Sequence, residues 1–227
     1  MAHDHAPVVT LDQRNTASNP VVTPQPSLET FGVVPADLGL NEPRHVGFSK
    51  DDQWLGYEIS TCDPCPEEFH FEARNGKPLS FSYYYDPGNQ DDEKEKKTNA
   101  EVDAKLAQLD VAKAAAARKL RGPFPYPDLH FATKTETDPK TGMTTLFFGA
   151  NGVFPMRVTV EPMPMFSSVP AKEKSEYVAD PMLVYANVTH DGSEIGIVVI
   201  ARGPMWWETG GVAGMRTTDF VAAVHAH

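Results

Sequence analysis

The chain has 227 residues, 41% hydrophobic and 10% aromatic, which is enough for one domain with a substantial core. Its 31 acidic residues against 20 basic ones give a net charge of −11, which argues against nucleic acid or an anionic membrane surface as the main partner. No apolar run approaches the roughly 18–20 residues that a transmembrane helix needs, so no transmembrane segment is expected.

Residues 1–44 are rich in Thr, Pro, Asn and Gln, and prolines at 7, 20, 24, 26, 35 and 43 prevent a long helix. They read as an extended, partly disordered leader that lays one short strand on the body at Thr30–Val34, with residues 45–227 forming a single β-rich domain. The opening MAHDHAPVV lacks the basic and apolar regions of a secretory signal. Either the protein is cytoplasmic, or a signal was removed and a start Met added.

Two stretches then match without a gap at a separation of 140 residues: VGFSKDDQWLGYEIS at 46–60 and ANVTHDGSEIGIVVI at 186–200. Phe48 falls on Val188, Ser49 on Thr189, Asp51 on Asp191 and Gly56 on Gly196. Each copy is predicted to be a tight hairpin whose turn is made by Asp51 or Asp191, because Asp and Ser side chains bond turn amides directly. Asn75-Gly76 predicts a second hairpin between Glu68–Arg74 and Leu79–Tyr85, which completes a four-stranded meander.

Residues 86–97 read as a charged surface loop. Thr98 and Glu101 form a capping box, and a crossover helix is expected over about 99–120, with Val102, Leu106, Leu109, Ala112, Ala116 and Leu120 on one stripe. Strands follow at 129–135, 144–149 and 154–161, the last two joined at Asn151-Gly152. The second repeat supplies strands 182–189 and 194–201. RGPMWWETGGVAG then reads as a Gly-rich loop, and Thr218–Val224 as a last strand by analogy with Phe69–Ala73.

Chemistry is sparse. Cys62 and Cys65 in CDPC suit a local disulfide, a redox pair or a metal site completed by His70. C-x-P-C resembles the thioredoxin family's active site, but only nine residues separate Cys65 from Asn75-Gly76, which leaves no room for that family's helix. Met205, Trp206 and Trp207 on a glycine-rich loop offer an aromatic contact surface for another protein or a saccharide. No catalytic constellation is evident, and no cofactor is implied beyond the metal alternative.

The run F-S-K-D-D-x-W-L-G-Y-E is similar to the blade signature of Tol-associated β-propellers. With the Ala/Lys-rich helix and the hairpin T-H-D-G-S-E-I-G-I-V-V, it also resembles an uncharacterised bacterial family of predicted secreted proteins, a domain of unknown function. That resemblance implies export to the periplasm or outside. The expectation is a mainly β fold, an antiparallel β-sandwich or partly closed barrel of two blade-like meanders with one crossover helix. Its expected role is that of a non-enzymatic extracytoplasmic binding or structural module, the alternative being a redox or metal-binding protein.

Overall fold

The computed structural model describes residues 44–60, 65–85, 92–114, 129, 131–162, 168–170, 172, 179–203 and 207–226. The leader and the strand expected at Thr30–Val34 lie outside these residues. The fold is mainly β, with three antiparallel sheets, two helices and no closed barrel among the described residues.

The first sheet has the order β4-β3-β2-β1-β5, from β1 (Arg44–Phe48), β2 (Trp54–Ser60), β3 (Glu67–Ala73), β4 (Pro78–Ser82) and the two-residue β5 (Lys113–Ala114). The expected four-stranded meander is its main part. A second sheet runs β6 (Phe131–Thr137), β7 (Thr144–Ala150), β8 (Val153–Val160), with Asn151 at φ 52° and Gly152 at φ 82° in the turn. The third sheet has the order β11-β10-β9, from β9 (Asp180–Val188), β10 (Glu194–Arg202) and β11 (Glu208–Arg216).

The repeat is structural to the level of single hydrogen bonds. Ser49 Oγ donates to Asp51 Oδ1 (2.6 Å) and accepts from the Trp54 amide (3.0 Å), while the Gln53 amide donates to Asp51 Oδ1 (3.1 Å). In the second copy Thr189 Oγ1 donates to Asp191 Oδ1 (2.8 Å) and accepts from the Glu194 amide (3.0 Å), and the Ser193 amide donates to Asp191 Oδ1 (3.0 Å). Registers agree as well, Phe48 facing Leu55 as Val188 faces Ile195, and Gly47 facing Gly56 as Asn187 faces Gly196.

The two units stack front to back. Val46, Phe48, Leu55 and Ile59 of the first pack on Leu183, Tyr185, Val198 and Ile200 of the second. The second unit's equivalents of that first face, Ala186, Val188, Ile195 and Val199, instead meet Leu146, Phe148, Val158 and Val160 of β7 and β8. The first unit's other face carries Phe69 and Phe71, and helix α1 (Asp92–Leu109) covers it with Val102, Leu106 and Leu109.

The helix and the chain after β10 differ from expectation. Helix α1 begins at Asp92, inside the run read as a loop, because that run is rich in helix-forming Glu and Lys and holds the i,i+3 pair Glu93–Lys96. Thr98 is therefore mid-helix rather than a cap, and Asn99 spends its amide on the backbone of Tyr84 (2.7 Å from the Tyr84 amide). The helix ends at Leu109, where Asp110 turns left-handed (φ 49°) and the chain leaves to pair β5 with β1.

From Glu208 onward the Gly-rich stretch is strand β11, residues 204–206 lying outside the described residues, and Thr217–His225 is helix α2, with Phe220 and Val224 buried against the β6–β8 sheet. Glycine suits β11 because both its faces are approached closely. A side chain at Gly210 would strike the Tyr57 ring, and one at Gly211 would lie 2.7 Å from Val158 Cγ1. The β6–β8 sheet is a third layer beyond the two expected meanders.

Gly56 and Gly196, equivalent in the two copies, show the same constraint. A methyl group at Gly196 would lie 2.7 Å from Phe48 Cζ and 2.9 Å from Leu55 Cδ2, whereas at Gly56 it would meet the Phe71 ring and the His70 carbonyl. Both Gly→Ala substitutions are expected to lower stability by about 1–3 kcal/mol in urea denaturation. Gly56→Ala should be the worse, since a paired strand carbonyl cannot move aside as a ring can.

Candidate functional site

The two segments singled out by their chemistry leave the body at the same end. Ser60 closes β2 just before CDPC, and Glu208 opens β11 directly after Trp207. The Ser60 amide donates to Glu208 Oε2 (2.9 Å), so one carboxylate holds both stems. Arg44, first residue of β1, grips Glu208 with both guanidinium nitrogens, and Arg202, opposite Glu208 in the β10–β11 register, donates to Oε1 (2.8 Å).

Glu208 is 2% exposed. A carboxylate so buried is tolerated because its oxygens are taken by charged and backbone donors. Two guanidiniums on one carboxylate leave a local surplus of positive charge in a chain that is acidic overall.

The neighbouring pair uses the other face of β1, as alternation requires. His45 follows Arg44 and turns the other way, its Nδ1 lying 2.8 Å from Glu58 Oε2, which also accepts the His45 amide (2.9 Å). Burial pushes the Glu58 carboxyl up, but the bonds from the His45 ring and amide and the charges of His45 and Lys113 outweigh it, and the group sits below its ordinary value of 4.5.

Cys65 is half-buried, and no free thiol is present among the described residues; Cys62 lies outside them. His70 points its Nδ1 at Ser80 Oγ (3.1 Å) and its Nε2 at Glu68 Oε2 (3.1 Å), and its ring stacks on Tyr57 at 5.4 Å. Tyr57 donates its hydroxyl to the Gly210 carbonyl (2.8 Å), and burial, then Glu161 and Glu68, push it up to about 12. Among the described residues no group of three or more His, Cys, Asp or Glu is placed to hold a metal ion.

Trp207 is half-buried against the core next to Gly203, whose amide donates to the Trp207 carbonyl (2.8 Å). A side chain at Gly203 would lie 2.7 Å from the indole Cε3. Much of this ring is therefore spent on packing. Met205 and Trp206 lie outside the described residues.

The turn residues act in the backbone. Asp51 and Asp191 organise the two hairpins as above, the Ser193 hydroxyl and amide and the Thr189 hydroxyl holding Asp191 down to about 2. Asn75 Oδ1 accepts the Lys77 amide (3.0 Å), and Gly76 takes φ 79°.

Glu208, Arg44, Arg202 and Glu58 carry no signal in the linear sequence. Arg44 and Glu208 are 164 residues apart, and only the register of four strands brings them together.

Comparison with protein families, characterised proteins and solved structures gives no match.

Removing the Glu208 carboxylate leaves two guanidiniums facing each other in a closed space. Glu208→Ala is expected to cost about 3–5 kcal/mol in chemical denaturation. Glu58 has a depressed pKa in the fold, so its stabilisation is complete above the ordinary value of 4.5 and fades as pH falls through the lower folded value. Between pH 6 and pH 3, His45→Ala should flatten the acid loss of stability measured by urea midpoints.

Proposed function

We propose that the chain is a non-enzymatic extracytoplasmic binding or structural module whose contact surface is the end where CDPC and Met205-Trp206-Trp207 emerge. The observation that carries this reading is the single carboxylate of Glu208, which fastens the stems of both segments to one buried point through Ser60, Arg44 and Arg202. A surface loop on a charge-assisted anchor keeps its stems in place when its tip is loaded. Trp207 serves as the packed root of the loop, which leaves Met205 and Trp206 as the residues offered to a protein or a saccharide.

Periplasmic or secreted placement belongs to the same proposal, on the resemblance to the bacterial secreted family and on a disulfide between Cys62 and Cys65. Cys65 carries no free thiol, and Cys62 is the other cysteine of the chain. A bond across so short a loop shapes the loop more than it stabilises the fold.

Two measurements test the reading. Protein prepared without reductant should show no reactive thiol under denaturing conditions and two after reduction; two free thiols at the outset count against an oxidised compartment. Trp206→Ala should lose partners retained by the wild type in a pull-down from native extract, at unchanged melting temperature. Trp207→Ala should instead lower the melting temperature. An unchanged partner set for Trp206→Ala removes the loop as the contact surface.

A further inference from the structure

The two repeats differ in one respect that the loops do not explain. In the first unit the outer edge of β3 is covered by β4, in register from Glu68–Ser82 to Glu72–Pro78. In the second unit the chain turns into α2 after β11, and no described strand pairs with the outer edge of β11.

Exposed edges are normally blunted by proline, charge or shortness. The other described edges follow that rule: β4 is short and starts at Pro78, β5 has two residues, β6 carries Lys134 and Glu136, β8 carries Pro155 and Arg157, and β9 contains Pro181. Strand β11 has neither proline nor charge between Glu208 and Arg216.

The surroundings of that edge form a slot. The first sheet is wider than the third, so β3 and β4 extend beyond β2, against which β11 packs. Glu68, His70 and Glu72 share the face of β3 that lies on the Tyr57 side, opposite Ile59, Tyr57 and Leu55. Beneath this overhang lies a cavity of about 120 Å³ with a floor of Phe48, Leu55 and Val212 and a rim of Glu72, Arg74 and Glu194. Arg74 is already engaged by Glu194, Nε to Oε2 at 2.6 Å, and Glu68 by His70, Oε2 to Nε2 at 3.1 Å, which leaves Glu72 as the acidic group of the rim.

We infer that β11 is a strand-accepting edge, and that its occupant is an extended basic segment of another polypeptide, added as a fourth strand, which the second unit does not show among the described residues. Backbone pairing supplies the affinity, and a Lys side chain on alternate positions fits the cavity, its stem on Phe48, Leu55 and Val212 and its ammonium at Glu72. Charge selects against two other occupants, the leader and a second copy. Residues 1–43 hold five acidic side chains (Asp4, Asp12, Glu29, Asp37, Glu42) against Arg14 alone, and a second copy brings a net charge of −11 to an acidic slot. This inference goes beyond the loop surface proposed above and does not depend on it.

The probe is a peptide of the nine-residue length of β11, alternating Lys with Thr or Val, titrated into the full chain by fluorescence anisotropy. The same peptide with Glu for Lys is the control, and hydrogen exchange is followed in both. Expected are binding of the Lys peptide alone, slowed exchange of the β11 amides that do not pair with β10, and about tenfold weaker binding by the exposed-site variant Glu72→Lys. Equal binding of the Glu peptide, or protection confined to other strands, overturns the inference. So does protection of those amides in the free chain, which at all concentrations means a segment of the chain itself and only at high concentration means a second copy. Trp206→Ala should leave peptide affinity unchanged, so the slot and the loop surface fail separately.

Discussion

Strand β10 has no polar face. From Ile195 to Ala201 seven consecutive residues are buried, Val198 and Ile200 against the first unit and Ile195, Ile197 and Val199 against β7 and β8. Burial on both sides obliges a strand to be apolar throughout and obliges its neighbours to supply two complementary surfaces. The rest of the fold follows from meeting that demand. The first meander covers one side, the β6–β8 sheet with α2 covers the other, and glycines at 196, 210 and 211 let rings and strands come close enough to exclude water.

Apolar burial is non-directional and does not by itself fix how two sheets are set on one another. Direction comes from polar ties at both ends of the stack. At the turn end Asp52 accepts the His190 amide (2.8 Å) and meets its ring, and Arg74 holds Glu194. At the loop end Arg44 and Ser60 of the first unit converge on Glu208 of the second. The partners are well separated in sequence in every case, so these contacts define the register between units rather than the hairpins within them.

That distinction explains what could be read from the amino-acid order. The hairpins, their turns and the repeat were legible, because a Ser or Thr two residues before an Asp, and Asn followed by Gly, act on backbone within reach. Strand β11 was not, because its glycines answer to Tyr57 and Val158, more than fifty residues away in each case, and composition alone reads them as loop. The start of α1 was hidden by its charge: the solvated turns of a helix and a polar loop share a composition. Of the site, the two segments flanking the repeats could be picked out, but the carboxylate that joins their stems could not.

Front-to-back stacking of like units has no natural end. Each unit presents one face that fits its neighbour's other face, the heterologous contact that builds filaments when nothing stops it. Here α1 acts as the terminator on one side, laying Val102, Leu106 and Leu109 over the face of Phe69 and Phe71 where a preceding unit would sit. On the other side the β6–β8 sheet turns outward the charged Lys134, Glu136 and Arg157 and the bonded pair Thr145–Thr159, with Lys134 lying over the Phe147 ring. The chain thus holds two units of a pattern suited to indefinite growth and spends its remaining elements on ending it, which makes α1 a guard against fibre formation as much as a part of the core.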